Sequence, residues 1–334
     1  MPSRPDAIVE PSVGVCPEPA RWYASSAAVF ERDDLGLRPA VDGPLRRVSL
    51  DQVLCDDAVL LRYLHSRLVA QGSPKPAAAT YLAGWFAGSV ARLVGLGLVT
   101  ADAAVVLTSS EVSFELAGGG WPERTAPGRL GAVVAEGHPW QGHDRVTTLQ
   151  PGVDVGSIAV RGLCELVSPL ISVCRSLANV RLSALWEEVA DGLGGVLAHQ
   201  IHTPVSPAAV AVLEQALATA GAPWRNVPRL GFAASPELRA VHVVQRGGCC
   251  LAFTEPMVSA SAVDSVPSED GGPTSDGEAL LQAYHARFVE SPGAKRYCST
   301  CRFRDPVDVD VRQVFWQERR ADPALDRLPR PSAG

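Results

Sequence analysis

Four cysteines in the last third of the chain stand in two close pairs, Cys249-Cys250 and Cys298-Ser-Thr-Cys301. Thiolates are soft ligands, and four of them are what a structural zinc ion or an iron–sulfur cluster requires. A Cys-x-x-Cys turn lets both sulfurs face one metal, and it also occurs in thiol redox motifs. The residue types and their spacing therefore predict a metal or redox site in this part of the chain.

The adjacent pair helps to decide between the two metals. Neighbouring side chains normally diverge, so two adjacent thiolates can share one ion only where the backbone bends, and Gly247-Gly248 is expected to supply that bend. A centre with two irons relaxes this demand, because each sulfur can bind its own iron. The pattern therefore favours a [2Fe-2S] cluster, with a structural zinc site as the alternative.

At these residues the chain resembles the ferric-siderophore reductases of the FhuF type. The resemblance lies in Arg246-Gly-Gly-Cys-Cys-Leu-Ala-Phe253, followed by a C-terminal Cys-x-x-Cys. That family carries a Cys-Cys-x10-Cys-x2-Cys signature for a [2Fe-2S] cluster, with Leu and an aromatic residue after the double cysteine. By position, the resemblance implies four cluster ligands: Cys249, Cys250, Cys298 and Cys301.

The spacing between the two pairs departs from that family. Forty-seven residues separate Cys250 from Cys298, where the family has about ten. Either a loop is inserted between the ligand pairs, over residues 254–296, or the two pairs do not share a metal. The Ser/Asp/Pro/Gly-rich, acidic composition of residues 255–273 indicates a flexible loop, and residues 276–288 regain helical periodicity.

The resemblance implies one-electron reduction of Fe(III) in a ferric siderophore, whose hard oxygen ligands hold Fe(II) less tightly. The electron is expected from a partner, such as a ferredoxin or an NAD(P)H-linked reductase. Neither Gly95-Leu-Gly97 nor Gly192-Leu-Gly194 completes a GxGxxG dinucleotide motif after a strand. The alternatives are a redox-sensing or siderophore-binding iron–sulfur module without turnover, and the structural zinc protein.

Other side chains are candidates for contact with the chelate or the cluster. Arginine suits an oxygen-rich, anionic chelate, so the substrate candidates are Arg175, Arg181, Trp186 and Arg246. A core aromatic residue beside surface arginines is the competing interpretation of the helical ones. Amide groups of Gly247, Gly248 and the Ser299-Thr300 turn are candidate donors to the cysteine sulfurs, bonds that help to set a cluster's potential.

Histidines and isolated cysteines have weaker signals. His138 and His143 flank Trp140 in a polar loop, where a ligand contact competes with simple solvation. The pair His199 and His202 is explained by the end of a helix, whose dipole favours a cation. The cysteines without a spaced partner are predicted to be single buried thiols, namely Cys16, Cys55, Cys164 and Cys174.

Composition bounds the class of protein. The chain has 334 residues, 46% of them hydrophobic, and a formal net charge of −6; without a basic stripe, it is not expected to bind nucleic acid. The N-terminus has no apolar core of a signal peptide, so the protein is expected in the reducing cytoplasm. Clustered cysteines there usually bind metal.

The segment Ala77–Val99 is long enough to span a bilayer. Its central Arg92 favours a buried core helix instead, with peripheral contact at the inner membrane face as a further option.

The elements that position the cysteines are predicted to be mostly helical. Helical periodicity runs from the N-cap Ser49 to residue 71, from Pro74 or Pro76 to 99, and over 153–173, 177–199 and 207–220, the last with Ser206 as its cap. Three short strands, Ala103–Thr108, Val112–Leu116 and Leu130–Ala135, predict a small antiparallel sheet, and a strand over Arg239–Gln245 leads to the double cysteine.

The predicted fold is α+β, mostly helical, with a small central antiparallel sheet and a C-terminal cysteine-bound cluster motif. Four parts are expected along the chain: a disordered N-terminus over 1–20, a siderophore-binding domain over 21–245, the cluster motif with its inserted loop over 246–316, and a flexible tail over 317–334.

Overall fold

The protein is mostly helical with small sheets, which confirms the α+β class. The computed structural model describes residues 46–116, 122–199, 205–235, 238–249 and 300–321, so the predictions for residues 1–20, for 276–288, and for Cys16, Cys250, Cys298 and His202 lie outside the described residues. The helices are α1 (Leu50–Ala70), α2 (Lys75–Ala83), α3 (Ser89–Ala101), α4 (Val155–Leu177), α5 (Leu182–Gly195), α6 (Pro207–Leu217) and α7 (Pro306–Ala321). The strands are β1 (Arg46–Ser49), β2 (Ala103–Val106), β3 (Val112–Leu116), β4 (Pro122–Pro127), β5 (Gly131–Val134), β6 (Val146–Thr148), β7 (Arg229–Ser235) and β8 (Arg239–Gln245).

Helix α1 begins at the predicted cap. The Gln52 amide donates to Ser49 Oγ at 3.2 Å, and the Ser49 amide donates to Gln52 Oε1 at 2.8 Å, a reciprocal capping box. Left-handed backbone at Asp56, Asp57 and Ala58 interrupts the helix. After a short turn, α1 packs against α2.

Helices α2 and α3 form one long apolar helix through a π-helical turn at Gly84–Gly88. This helix, Lys75–Ala101, and α4 are both long and apolar enough to cross a membrane, which by itself is weak evidence for a span. The most apolar window of Lys75–Ala101 is 78% buried inside the protein, as a core helix requires. The exposed side of α4 carries polar groups, including Arg161 and Glu165.

The backbones of the long helix and of α5 are in direct contact. A Cβ atom on Gly192 would lie 2.7 Å from Gly88 Cα, and a Cβ atom on Gly95 would lie 2.6 Å from the Leu193 carbonyl oxygen. Real Cβ atoms do not approach so closely, so glycine is required for this helix crossing. Around it lies the main apolar core, which includes Phe86, Leu98, Leu170 and Leu185.

The prediction of one antiparallel sheet is wrong in its arrangement. The three predicted strands exist, but β3 lies between β1 and β4 in one antiparallel sheet, while β2 and β5 belong to a second sheet in which β6 is parallel to β5. Strands β1 and β4 escaped prediction because both are polar (RRVS and PERTAP) and show no run of β-branched residues, and β6 because it has only three residues.

The C-terminal unit is the hairpin β7–β8 with α7 packed against it. Gln313 on α7 accepts from the Val244 amide at 2.9 Å and donates to the Val244 carbonyl at 2.7 Å, and Gln317 donates to the His242 carbonyl. These buried amides close the outer edge of β8. Helix α7 continues to Ala321, into the first residues of the predicted tail over 317–334, and its buried face, including Phe315, packs on the hairpin.

Candidate metal site

After strand β8, the chain contacts helix α5 immediately before the double cysteine. The amides of Gly247 and Gly248 donate to the two carboxylate oxygens of Asp191 on α5, at 2.7 Å and 3.1 Å. The expectation that these amides bond to the cysteine sulfurs is corrected, because each donates to a carboxylate. The turn that leads to Cys249 is thereby fixed on α5.

Both positions of this turn require glycine because there is no space for a side chain, and not because the backbone has a special angle. A Cβ atom on Gly247 would lie 2.5 Å from the Val227 carbonyl oxygen, and one on Gly248 would lie 2.9 Å from Glu187 Cβ. Neither glycine has a positive φ, so the predicted role of a conformational bend gives way to one of close approach.

Arg246, a predicted chelate contact, is engaged with two acidic residues of α5. Its Nε donates to Asp191 at 3.0 Å, and its terminal nitrogen donates to Glu188. Both carboxylate side chains are under a tenth exposed, and a buried carboxylate is costly without such a partner. Arg246 therefore holds the cysteine turn to the core.

The loop of the second cysteine pair joins the same turn. The Arg246 amide donates to the Thr300 carbonyl at 2.9 Å, and the buried side chain of Gln245 donates to the carbonyls of Cys301 and Arg304 at 3.2 Å and 2.9 Å. In the opposite direction, the Arg302 guanidinium donates to the Gly247 carbonyl. These bonds join the chain just before the double cysteine to the loop that contains Cys301.

Two of the four predicted ligands, Cys249 and Cys301, lie in the two segments that these bonds join. Cys249 is half-buried and Cys301 is buried; Cys250 and Cys298 lie outside the described residues. Within the described part of the chain, no group of three or more His, Cys, Asp or Glu side chains is placed to hold a metal. The two described thiols, in segments joined by hydrogen bonds, fit the donor chemistry of a thiolate site.

The remaining substrate candidates lie on or directly before helices α4 and α5. Trp186 is 7% exposed and belongs to the core, so little of its ring is left for contact with a ligand. Arg175 and Arg181 are exposed. Arg181 precedes α5 and Asp191 lies ten residues later, about 15 Å along the helix at 1.5 Å per residue.

His138, His143 and His199 lie in different surroundings. Trp140 is fully buried, and its amide donates to His138 Nδ1 at 3.1 Å, so the other ring nitrogen, Nε2, carries the proton and donates to the Ala101 carbonyl at 2.7 Å. His138 thus ties the loop to the end of α3. His143 is exposed, and the backbone of His199 ends a short 3₁₀ turn after α5.

The isolated thiols differ in burial. Burial raises the pKa of Cys174 to about 12 and that of Cys164 to about 11, so both are protonated and poor nucleophiles at neutral pH. Cys174 confirms the expectation of a buried core thiol and Cys164 is partly buried, whereas Cys55 is exposed. For Cys55 the prediction is wrong, because the break in α1 begins at this residue.

A scan against protein-family models found no match for the chain, and a search of curated proteins found none either. The resemblance to the FhuF-type reductases stays a prediction carried by the two cysteine segments.

Proposed function

We propose that the chain binds a [2Fe-2S] cluster through Cys249, Cys250, Cys298 and Cys301 and reduces ferric siderophores by one electron. The observation that carries the proposal is the hydrogen bond from the Arg246 amide to the Thr300 carbonyl. Cys249 follows Arg246 by three residues and Cys301 follows Thr300 by one. This bond brings the two cysteine segments together across the long spacing, which supports a shared cluster.

The cluster supplies a one-electron carrier when bound, and the surrounding residues hold its ligands in place. Gln245 and Arg302 join the second cysteine loop to β8, and Asp191 joins the first to α5. The half-buried Cys249 leaves this side of the site accessible to a chelate. An external ferredoxin or NAD(P)H-linked reductase is the proposed electron donor, and a siderophore with hard oxygen ligands releases Fe(II) once it forms.

The deciding experiment is spectroscopy of the anaerobically purified full chain, with iron, sulfide and zinc assayed on the same sample. We expect a red-brown protein with two irons per chain, EPR-silent as isolated and with an S = 1/2 signal after dithionite reduction. A colourless protein with one zinc ion would exclude the reductase and leave the structural zinc protein.

Serine variants assign the ligands. Replacement of Cys249, Cys250, Cys298 or Cys301 is expected to abolish or shift the cluster spectrum and to stop reduction of the chelate. Cys55→Ser is the matched control, because that thiol is exposed and lies outside the motif. Full iron content and full activity in Cys298→Ser would remove that residue from the ligand set.

Turnover separates a reductase from a binding or sensing module. The dithionite-reduced protein is mixed with a ferric hydroxamate chelate, and the visible spectrum is followed in a stopped-flow instrument. Reoxidation of the protein with appearance of Fe(II) supports the reductase. Binding of the chelate with no reoxidation would favour the module without turnover.

A further inference from the structure

The two peptide N–H groups that immediately precede Cys249 point to a carboxylate. Gly247 donates to one oxygen of Asp191 and Gly248 to the other. Amides beside cluster cysteines are the natural donors to sulfur, and such bonds are one of the means by which a protein sets a cluster's potential. A peptide N–H has a single proton, so a strong bond to a carboxylate leaves it a poor donor to sulfur.

We propose that Asp191 is a positioning residue that keeps the reduction potential of the predicted cluster low; this inference rests on the proposed function. An N–H···S bond stabilises the reduced, more negative form of a cluster, and Asp191 withholds two such donors. Its own negative charge, placed beside the cysteine turn, further disfavours the added electron. Both effects lower the potential.

The surroundings of Asp191 hold the carboxylate in this position. Its side chain is 8% exposed, and the Arg246 guanidinium donates to it at 3.0 Å. A Cβ atom on Gly248 would lie 3.0 Å from Asp191 Oδ2, so only glycine lets the amide and the carboxylate meet. The contact therefore depends on a residue type at 248 as well as on the acid at 191.

A low potential suits the proposed substrate. Hard, anionic oxygen ligands stabilise Fe(III) over Fe(II), so a ferric siderophore accepts an electron only from a strong reductant. A turn whose amides are held by a carboxylate is the arrangement that favours such a reductant.

The test compares two variants, each of which removes one of the two carboxylate charges that pair with the Arg246 guanidinium. Glu188 also accepts from Arg246, but Glu188→Gln leaves the amides of Gly247 and Gly248 bonded to Asp191. Asp191→Asn removes a charge and also disturbs the amide bonds, since its NH₂ group cannot accept. Midpoint potentials are measured by EPR-monitored redox titration of the full-length, cluster-loaded proteins.

We expect both variants to shift the midpoint to more positive values, with the larger shift in Asp191→Asn and with unchanged iron content. Equal shifts would overturn the role of the amides, and an unshifted Asp191→Asn protein would overturn the proposal as a whole. Absence of iron from the wild-type protein is a separate result, which contradicts the proposed function itself.

A measurement on the wild-type protein covers the case in which Asp191→Asn does not fold. The protein is labelled with [¹⁵N]glycine, reduced, and examined by pulsed EPR for ¹⁵N hyperfine coupling to the cluster. We expect no coupling of the strength that a sulfur-bonded glycine amide gives. A strong glycine coupling would overturn the proposal.

Discussion

The helical core and the C-terminal unit are held together by different means. At the crossing of α3 and α5, glycines let two backbones touch within an apolar core. In the C-terminal unit, buried side chains such as Gln313 and Gln245 bond to backbone groups of segments distant in the chain. Apolar contact tolerates volume-conserving exchange, whereas each polar link needs a particular partner, so the cysteine loops depend on a few residues.

The largest expected effect tests the helical core. Gly192→Ala puts a Cβ atom 2.7 Å from Gly88 Cα, and because backbone faces backbone, neither side can yield locally. We expect a loss of about 3 kcal/mol in the free energy of unfolding, at the upper end for overpacking, measured by urea denaturation. The control is Gly195→Ala at the end of the same helix, where a Cβ atom meets nothing within 4 Å. A loss of the same size there would show that the close crossing is not the cause.

The next effect tests the polar links of the C-terminal unit. Gln313→Ala leaves the amide and carbonyl of Val244 without their side-chain partner, at a cost of about 2 kcal/mol for two buried bonds. Gln317→Ala removes one hydrogen bond, to the His242 carbonyl, and is expected to cost about half as much. Denaturation midpoints and hydrogen exchange at Val244 measure both. A smaller loss for Gln313→Ala than for Gln317→Ala would refute this account of the strand edge.

A smaller expected effect is a dependence of the free energy of unfolding on pH, which arises from His242 in the β7–β8 hairpin. Burial lowers the pKa of His242, so the folded protein binds fewer protons there than the unfolded chain does. Stability is therefore full above the unfolded pKa, about 6.5, and falls as the pH drops from there towards the lower folded pKa. His242→Phe is expected to flatten this fall, which denaturation between about pH 7.5 and pH 5 measures. If the free energy of unfolding falls with pH equally in wild type and His242→Phe, His242 is not the cause of the fall.

The smallest effect concerns an ion pair near the β-sheets. Arg145 donates to Glu111 at 2.6 Å and lowers the pKa of that carboxyl. Stabilisation is thus present above the unfolded pKa, about 4.3, and is lost as the pH falls through the folded pKa. Since both side chains are partly exposed, Glu111→Gln is expected to cost only about 0.5 kcal/mol at neutral pH. At about pH 3 the difference from wild type should largely vanish; a constant difference would rule out the charge as its cause.

Local signals predicted much of the helical part. Ser49 and Ser206 both cap helices as expected, the latter by accepting from the Ala209 amide at 3.2 Å. The strand Arg239–Gln245 has the predicted bounds. In each case, the information lies within a few residues: a hydroxyl at the first turn, or a run of β-branched side chains.

The links that assemble the candidate site could not be predicted in this way. Asp191 and Gly247 are 56 residues apart and Arg302 and Gly247 are 55 apart, and no periodicity connects them. The acid looks like an ordinary surface residue of α5, and Gly247 looks like a turn former. Only the tertiary arrangement shows that these residues are partners.

The π-helical turn at Gly84–Gly88 takes up one extra residue within the long helix. A π turn closes over one residue more than an α turn, and each residue of an α-helix advances its side chains by about 100°. Deleting Ala87 would therefore let this turn close as an ordinary α turn and leave Ser89–Ala101 in the same orientation relative to Lys75–Ala83. Deleting Ala91, within the regular α-helix, would instead rotate Gly95 away from α5 by about 100°, so the long helix tolerates a change of length at the π turn that it does not tolerate in α3.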